Sequence, residues 1–419
     1  MLFKRISSAP FHPVQVKAVV QALQRIFLDG QYADKVIGSV LQSNPKAGSR
    51  DRAFIAETTY DVVRYFRLFT EVLGRTPKQE DDFWQIIGIY FLTRHLRNPA
   101  ETAIELPDWR EFQSFQPAEI IKRYQQAALR RAFRESIPDW MDELGQAELG
   151  DNWDETLRWL NRPADVVLRT NRLKTTREAL QKALKDEGIE TEPVGTDTDA
   201  LRLTIRKNVF TTKAFKNGWF EVQDYSSQAV APLLAPQPGM RVVDACAGGG
   251  GKTLHLAALM QSKGRLIALD TLSWKLDELK LRARRAGVSN IENRPIENRK
   301  VIKRLYNSAD RLLLDVPCSG LGVLRRNPDS KWKLTPEQFS QLKVTQQDIL
   351  QSYSPIVRPG GRMVYATCSI LPSENRFQVD AFLQSPAGKD WQLVQDRSIL
   401  PQDEGFDGFY MALLERKPE

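Results

Sequence analysis

Cysteine is scarce in this chain of 419 residues: there are three, Cys246, Cys318 and Cys368. They lie far apart in the C-terminal half, with no CxxC pair. That excludes a disulfide framework and points to reduced thiols in a cytoplasmic protein. It also argues against zinc, because these cysteines and His255 lack paired ligand spacing, so no metal is expected. Long apolar runs are missing too. No stretch of about 18 apolar residues occurs, and the start, MLFKRISSAPFHP, has no apolar signal core. No membrane partner is expected. Internal repeats and low-complexity tracts are absent. Charge is only mildly one-sided, with Lys+Arg 60 against Asp+Glu 52. This excess fits a nucleic-acid partner without requiring one. The length fits two or three domains, and a hydrophobic content of 42% supports real cores.

The most informative stretch is RVVDACAGGGGKT, Arg241 to Thr253. An apolar run reaches Asp244, four glycines follow (Gly248, Gly249, Gly250 and Gly251), and Lys252 opens an apolar-periodic segment. That reads as strand, tight loop, helix. The glycines remove side chains between backbone and ligand and allow positive φ. A phosphate-binding P-loop would need glycine at Cys246, and a dinucleotide fingerprint would need it at Thr253. Neither ATP, GTP nor NAD is favoured. S-adenosylmethionine, its carboxylate on the loop, stays open beside a glycine-rich turn with no ligand.

From Met240 onward strands and helices alternate, which predicts a parallel-dominated sheet with helices on both faces. Strands ending at Asp244, Asp270, Asp315 and Cys368 place these residues on one edge, where such sheets bind ligands. A helix is expected from Thr335, with Pro336 at its first turn and Gln338 closing a capping box. Pro359-Gly360-Gly361 is expected to turn the chain into a last strand, Arg362 to Thr367. Residues 1–140 read as helices, including one that Ser49 caps and that ends near Gly74. Their arginines form a solvated face or a phosphate-contacting one. Residues 141–225 read as a small α/β module, and 226–419 as the third domain.

The edge residues suggest chemistry. Asp270 can accept hydrogen bonds from ribose hydroxyls, or be a turn aspartate. Cys318 and Cys368 sit in loops; each is an inert hydrophobe or a thiolate nucleophile. A thiolate beside a methyl donor suits carbon 5 of a pyrimidine. That carbon is a weak nucleophile until a thiolate adds at ring carbon 6, and a nearby carboxylate can help protonate the ring nitrogen. Arg325, Arg326, Lys331, Trp332 and Lys333 form a phosphate track with base stacking, or a solvated basic loop.

Five motifs carry a resemblance: VQDYSSQ at 222–228, DACAGGGGKT at 244–253, DVPCSGLGVLRRNPDSKW at 315–332, ATCSILPSEN at 366–375 and DGFY at 407–410. With them the chain resembles the RsmB/Sun family of RNA 5-methylcytosine methyltransferases from about Pro163 to the C-terminus. RDRAFIAETTYDVVR at 50–64 resembles the NusB-like RNA-binding domain often joined to that family. The resemblance implies an α/β fold: a Rossmann-like S-adenosylmethionine-dependent methyltransferase domain behind a small α/β module and an all-α NusB-like domain. It implies S-adenosylmethionine as cofactor, an RNA substrate (ribosomal rather than transfer RNA) and a monomer. An assembly factor that binds RNA without catalysis is the alternative from another class; the intact cysteine pair argues against it. By residue, Cys368 would be the nucleophile, and Cys318 would assist release of the methylated RNA. Asp315 would lie between the donor and the base, and Asp270 would hold the ribose. Cys246, Ala247, the four glycines and Lys252 would bind the methionine end, with Lys252 near the reacting centre. Gly249 stands where that family commonly has proline, which predicts a more mobile loop. Glu297 is the nearest candidate for its adenine-side acid.

Overall fold

In the computed structural model, residues 12–98, 102, 104–196 and 198–418 are described. They form two compact units. The first runs to Asn161 and takes in Arg326–Leu334; the second holds Arg162–Arg325 and the chain from Thr335 onward.

The first unit is helical. Helix Pro13–Phe27 buries Val16, Val19, Val20, Leu23 and Ile26 at helical spacing. Helix Glu80–Arg97 is buried almost all round its middle, from Phe83 to Thr93, which makes it the central element. The helix expected from Ser49 to Gly74 is two, Ser49–Arg64 and Phe66–Leu73. The break at Tyr65 has a tertiary cause: the Ser136 hydroxyl accepts Arg67 and Leu68 N–H at 2.9 and 3.4 Å, capping the second helix. Gly48, not Ser49, is the N-cap of the first, with Asp51 accepting its N–H at 3.1 Å. Helices continue past residue 140 as Asp139–Leu149 and Asn152–Leu160. Trp153 is fully buried between them, and a Cβ on Gly145 would lie 2.3 Å from its ring.

Arg326–Leu334 belongs to this unit, which corrects the expected RNA track. Lys331 is 3% exposed and donates to Arg64 O at 2.8 Å. Trp332 Nε1 donates to Val63 O at 2.7 Å, and its ring meets Phe66 edge-on. Asp329 accepts Ala33 N–H at 3.0 Å and Lys333 Nζ at 2.6 Å. In the second unit, Arg325 is buried and donates to Gly405 O and Pro163 O. These side chains hold the fold, so they do not present a stacking surface.

The second unit contains two sheets. Strands β1 (Val167–Thr170), β2 (Thr191–Pro193), β3 (Ala200–Leu203) and β4 (Phe220–Val222) form an antiparallel sheet in the order β2-β3-β1-β4. Leu180 and Leu184 of helix Arg177–Asp186 are buried in its core. The larger sheet contains β5 (Arg241–Asp244), β6 (Arg265–Asp270), β7 (Ile291–Pro295), β8 (Ala309–Asp315), β9 (Val357–Thr367), β10 (Trp391–Ile399) and β11 (Phe409–Arg416). Its order is β10-β11-β9-β8-β5-β6-β7, with β5 to β9 parallel and β10 and β11 antiparallel. Leu266–Leu269 and Leu312–Leu314 are fully buried, as strands covered on both faces require. The last parallel strand starts at Val357, not Arg362; Pro359 to Gly361 lie within it, beside a register shift. Strand β5 pairs with β6 on one side and β8 on the other. The chain order reverses there, opening a crevice beyond Asp244 and Asp315. No helix among the described residues is long and apolar enough to cross a membrane.

Candidate active site

The loop after β5 is built as a ligand cradle. Ala247 N–H donates to Leu269 O and Gly250 N–H to Ala247 O, both at 2.9 Å, which closes a tight turn. Gly250 has φ +88°, and a Cβ there would strike Leu279 at 2.1 Å, so only glycine fits. Gly248 has φ +53°, with nothing within 4 Å of where a Cβ would sit. Helix Gly251–Leu259 follows, directing its first N–H groups out of the turn. Cys246 is half-buried, and burial and then the charge of Asp244 hold its thiol well above the usual range. Ala247 packs its methyl into a hydrophobic cluster and offers only backbone.

Acids ring the cradle. Asp270 accepts Gly248 N–H on one oxygen and Leu272 N–H on the other, each at 2.9 Å. Each oxygen keeps a lone pair for a ribose hydroxyl. Asp244 is 1% exposed; Thr253 Oγ1 donates to one oxygen at 2.7 Å, and the other has no partner. Burial pushes its pKa up to about 7. Lys252 Nζ lies 2.7 Å from Asp315 Oδ2 and 4.9 Å over the Phe409 ring. Glu297 is exposed just beyond β7.

The cysteine loops converge beside this pair. Cys318 Sγ and Cys368 Sγ are 3.3 Å apart, although 50 residues separate them. Neither is in a disulfide. The Cys318 thiol is held well above its ordinary range, first by its hydrogen bond to Cys368 and then by burial. The protonated form of Cys318 is thereby favoured, and either sulfur can be the donor in the contact. Gly322 N–H donates to Cys368 O at 2.9 Å where the loops cross. A Cβ on Gly322 would fall 2.1 Å from Gly408 O, and one on Gly408, the glycine of the DGFY stretch, would fall 2.3 Å from the Ile370 side chain and 3.0 Å from Gly322 Cα.

Two functional arginines escape sequence reasoning. Arg282 Nη1 donates to Gly249 O at 2.5 Å and Nη2 to Glu221 at 3.0 Å. Arg169 Nη1 donates to Gly251 O at 2.6 Å. Burial lowers the Arg169 pKa to about 10, so it stays cationic. Both bonds brace, from outside, the loop that has Gly249 in place of proline. Arg169 lies on β1 and Arg282 on helix Ser273–Ala286, far from the loop in sequence, and only the packing brings them to it.

The model of the family described as 16S rRNA methyltransferase RsmB/F matches residues 231–415. A second, described as the RsmF/B-like ferredoxin-like domain, matches residues 137–210. Probable ribosomal RNA small subunit methyltransferase B of Synechocystis sp. is 33% identical, covering 92% of this chain and 95% of that protein. This chain belongs to the RsmB/F methyltransferase family. Ribosomal RNA small subunit methyltransferase B of Vibrio cholerae is 31% identical, covering 88% of this chain and 90% of that protein. The fold is shared with the crystal structure of PH0851, at TM-score 0.80 and 23% identity over 98% of this chain and 100% of that one. It is shared with NSun6 from Pyrococcus horikoshii, solved with SFG, at TM-score 0.62 and 21% identity over 68% of this chain and 100% of that one. As in the rest of the family, S-adenosylmethionine is the cofactor. The open Gly248, the helix N-terminus and the acids fit it.

Proposed function

We propose that this protein methylates carbon 5 of a cytosine in small-subunit ribosomal RNA through a covalent cysteine–base adduct. The observation that carries the reading is the thiol pair, Cys318 and Cys368 at 3.3 Å, on the sheet edge that also holds Lys252 and Asp315. The ribosomal substrate follows the relatives named for small-subunit methylation.

The donor supplies an electrophilic methyl group on sulfur. The glycine loop and the following helix hold its amino-acid end, and Asp270 its ribose. Cys368 adds as thiolate to ring carbon 6 and forms an S–C bond. The Lys252–Asp315 pair delivers a proton to the ring nitrogen, which leaves carbon 5 enamine-like and able to take the methyl group. Loss of the carbon-5 proton to a base, and of the nitrogen proton, then breaks the S–C bond and returns Cys368. Cys318, whose protonated form is favoured, acts at this release step. The target base must be unpaired or flipped to reach the thiol. The helical unit serves as a NusB-like RNA-binding domain in this reading, with arginine-rich helix faces as its phosphate contacts.

Covalent trapping tests the proposal. Wild type, Cys318→Ala and Cys368→Ala are incubated with cofactor and ribosomal RNA and then denatured. Cys318→Ala accumulates a protein–RNA adduct and Cys368→Ala forms none. The reverse pattern makes Cys318 the nucleophile and overturns the assignment.

A further inference from the structure

Pro372 to Asn375 follow Cys368 closely but have no part in the chemistry above. Glu374, within them, is fully buried. One carboxylate oxygen accepts Ser319 N–H at 2.8 Å and Gln346 Nε2 at 3.0 Å. The other accepts the hydroxyls of Ser319 and Ser369, each at 2.5 Å. These serines directly follow the two cysteines. Gln346, in helix Pro336–Tyr353, also donates to Pro317 O at 3.0 Å, directly before Cys318. Asn375 ties the other loop, donating to Ser369 O at 3.0 Å and accepting from Thr367 Oγ1 at 2.5 Å. If only packing were needed here, an apolar side chain would serve as well as a buried charge.

We propose that Glu374 is a positioning residue, which holds the two cysteine loops in register so that Cys318 and Cys368 act as one pair. The inference rests on the two-cysteine reading above. Its carboxylate bonds to residues beside both cysteines at once, and the Ser319 and Ser369 hydroxyls that it gathers lie 3.4 Å apart. Its negative charge has a second effect: it adds to the hold on the Cys318 proton, behind the thiol pairing and burial.

The test reads pair geometry without RNA. Diamide takes two electrons and two protons from a thiol pair, leaving a disulfide and a hydrazine. Formation of the Cys318–Cys368 disulfide is followed by mass spectrometry in the full chain, beside single-turnover RNA methylation and cofactor affinity. In Glu374→Ala both loops lose a charged anchor. Disulfide closure is expected to slow by about tenfold or more, methylation to fall, and cofactor affinity to stay. Glu374→Gln is isosteric: its oxygen serves the two N–H donors, and its amide donates to the serine hydroxyls. Closure then keeps nearly its wild-type rate, while its pH profile moves to lower pH because the charge beside Cys318 is gone. A purely structural role would leave that profile unmoved, and an unmoved profile overturns the proposal. So does closure in Glu374→Ala within about twofold of wild type, a difference too small for a lost charged bond. If Glu374→Ala does not fold, the Glu374→Gln profile decides. If closure responds as expected but wild type methylates no cytosine, the functional reading fails and the positioning role stands.

Discussion

Replacing Arg282 tests how the cofactor loop is held. Arg282 Nη1 is bonded to Gly249 O at 2.5 Å, and Nη2 to the buried Glu221. In Arg282→Met the Glu221 carboxylate keeps Arg285, 2.5 Å away, so the variant should fold. What disappears is one charged hydrogen bond to the loop backbone, worth about 1.5 to 3 kcal/mol. If that energy orders the loop for its ligand, the dissociation constant for S-adenosylmethionine rises by roughly tenfold to 150-fold. The rate at saturating cofactor stays close to wild type, because the lost bond is to loop backbone, away from the thiol pair. Isothermal titration of the full chain reads the affinity, and single-turnover methylation reads the rate. Arg282→Lys, with one donor head in place of a fork, should fall between. Arg265→Met, which breaks an exposed pair with Glu292 at the opposite end of β6, is the control and should leave affinity unchanged. An Arg282→Met affinity equal to that of the control refutes the brace.

Two further perturbations follow from buried polar groups. Asp244 has a folded pKa of about 7, above the ordinary aspartate value, so the native state binds its proton more tightly than the unfolded chain. Its contribution is present below about pH 4 and is lost as pH rises towards 7, by up to about 4 kcal/mol. Urea unfolding at pH 5 and pH 8 should show wild type losing more stability over this interval than Asp244→Asn; equal slopes contradict the assignment. Trp332→Ala removes a bond to Val63 O and an edge contact to Phe66. It should destabilise the helical unit by about 3 kcal/mol in denaturant unfolding, with unchanged RNA affinity in the folded protein. A loss of RNA affinity at constant stability would restore the stacking role.

The site edge was legible because its signals are local. Glycines at fixed offsets, an aspartate at each strand end and a proline–cysteine loop announce themselves within a few residues. The capping box at Thr335 formed as its spacing predicts, with Gln338 N–H donating to Thr335 Oγ1 at 3.3 Å. What stayed hidden depends on distant partners. Ser136 caps a helix start 69 residues upstream of it, which no periodicity records. The basic-aromatic run at 331–333 has the composition of an RNA track, yet backbone carbonyls of the helical unit claim Lys331 and Trp332. Composition reports what a side chain can bind, and packing decides which acceptor reaches it first. The antiparallel pair β10 and β11 was not read either: residues 392 to 398 of β10 are mostly exposed, so the run lacks an apolar signature.

Charge divides the edge into two supports with opposite signs. Behind the cofactor loop, guanidinium groups of Arg169 and Arg282 bind carbonyl oxygens of Gly251 and Gly249. Carbonyls held on that side leave the first-turn N–H groups of helix Gly251–Leu259 to face an anionic carboxylate. Around the candidate site the acids are Asp244, Asp270 and Asp315, and Lys252 is in direct contact with Asp315. S-adenosylmethionine has one more positive charge than the thioether left after transfer. An acidic edge therefore favours the donor over the spent product, and transfer itself weakens binding of what must leave. The two thiols sit beside these acids on loops gathered by the buried Glu374. In the proposed reading the site tunes donor affinity through arginines on β1 of the small sheet and on helix Ser273–Ala286, and thiol geometry through the glutamate that follows β9 of the large one.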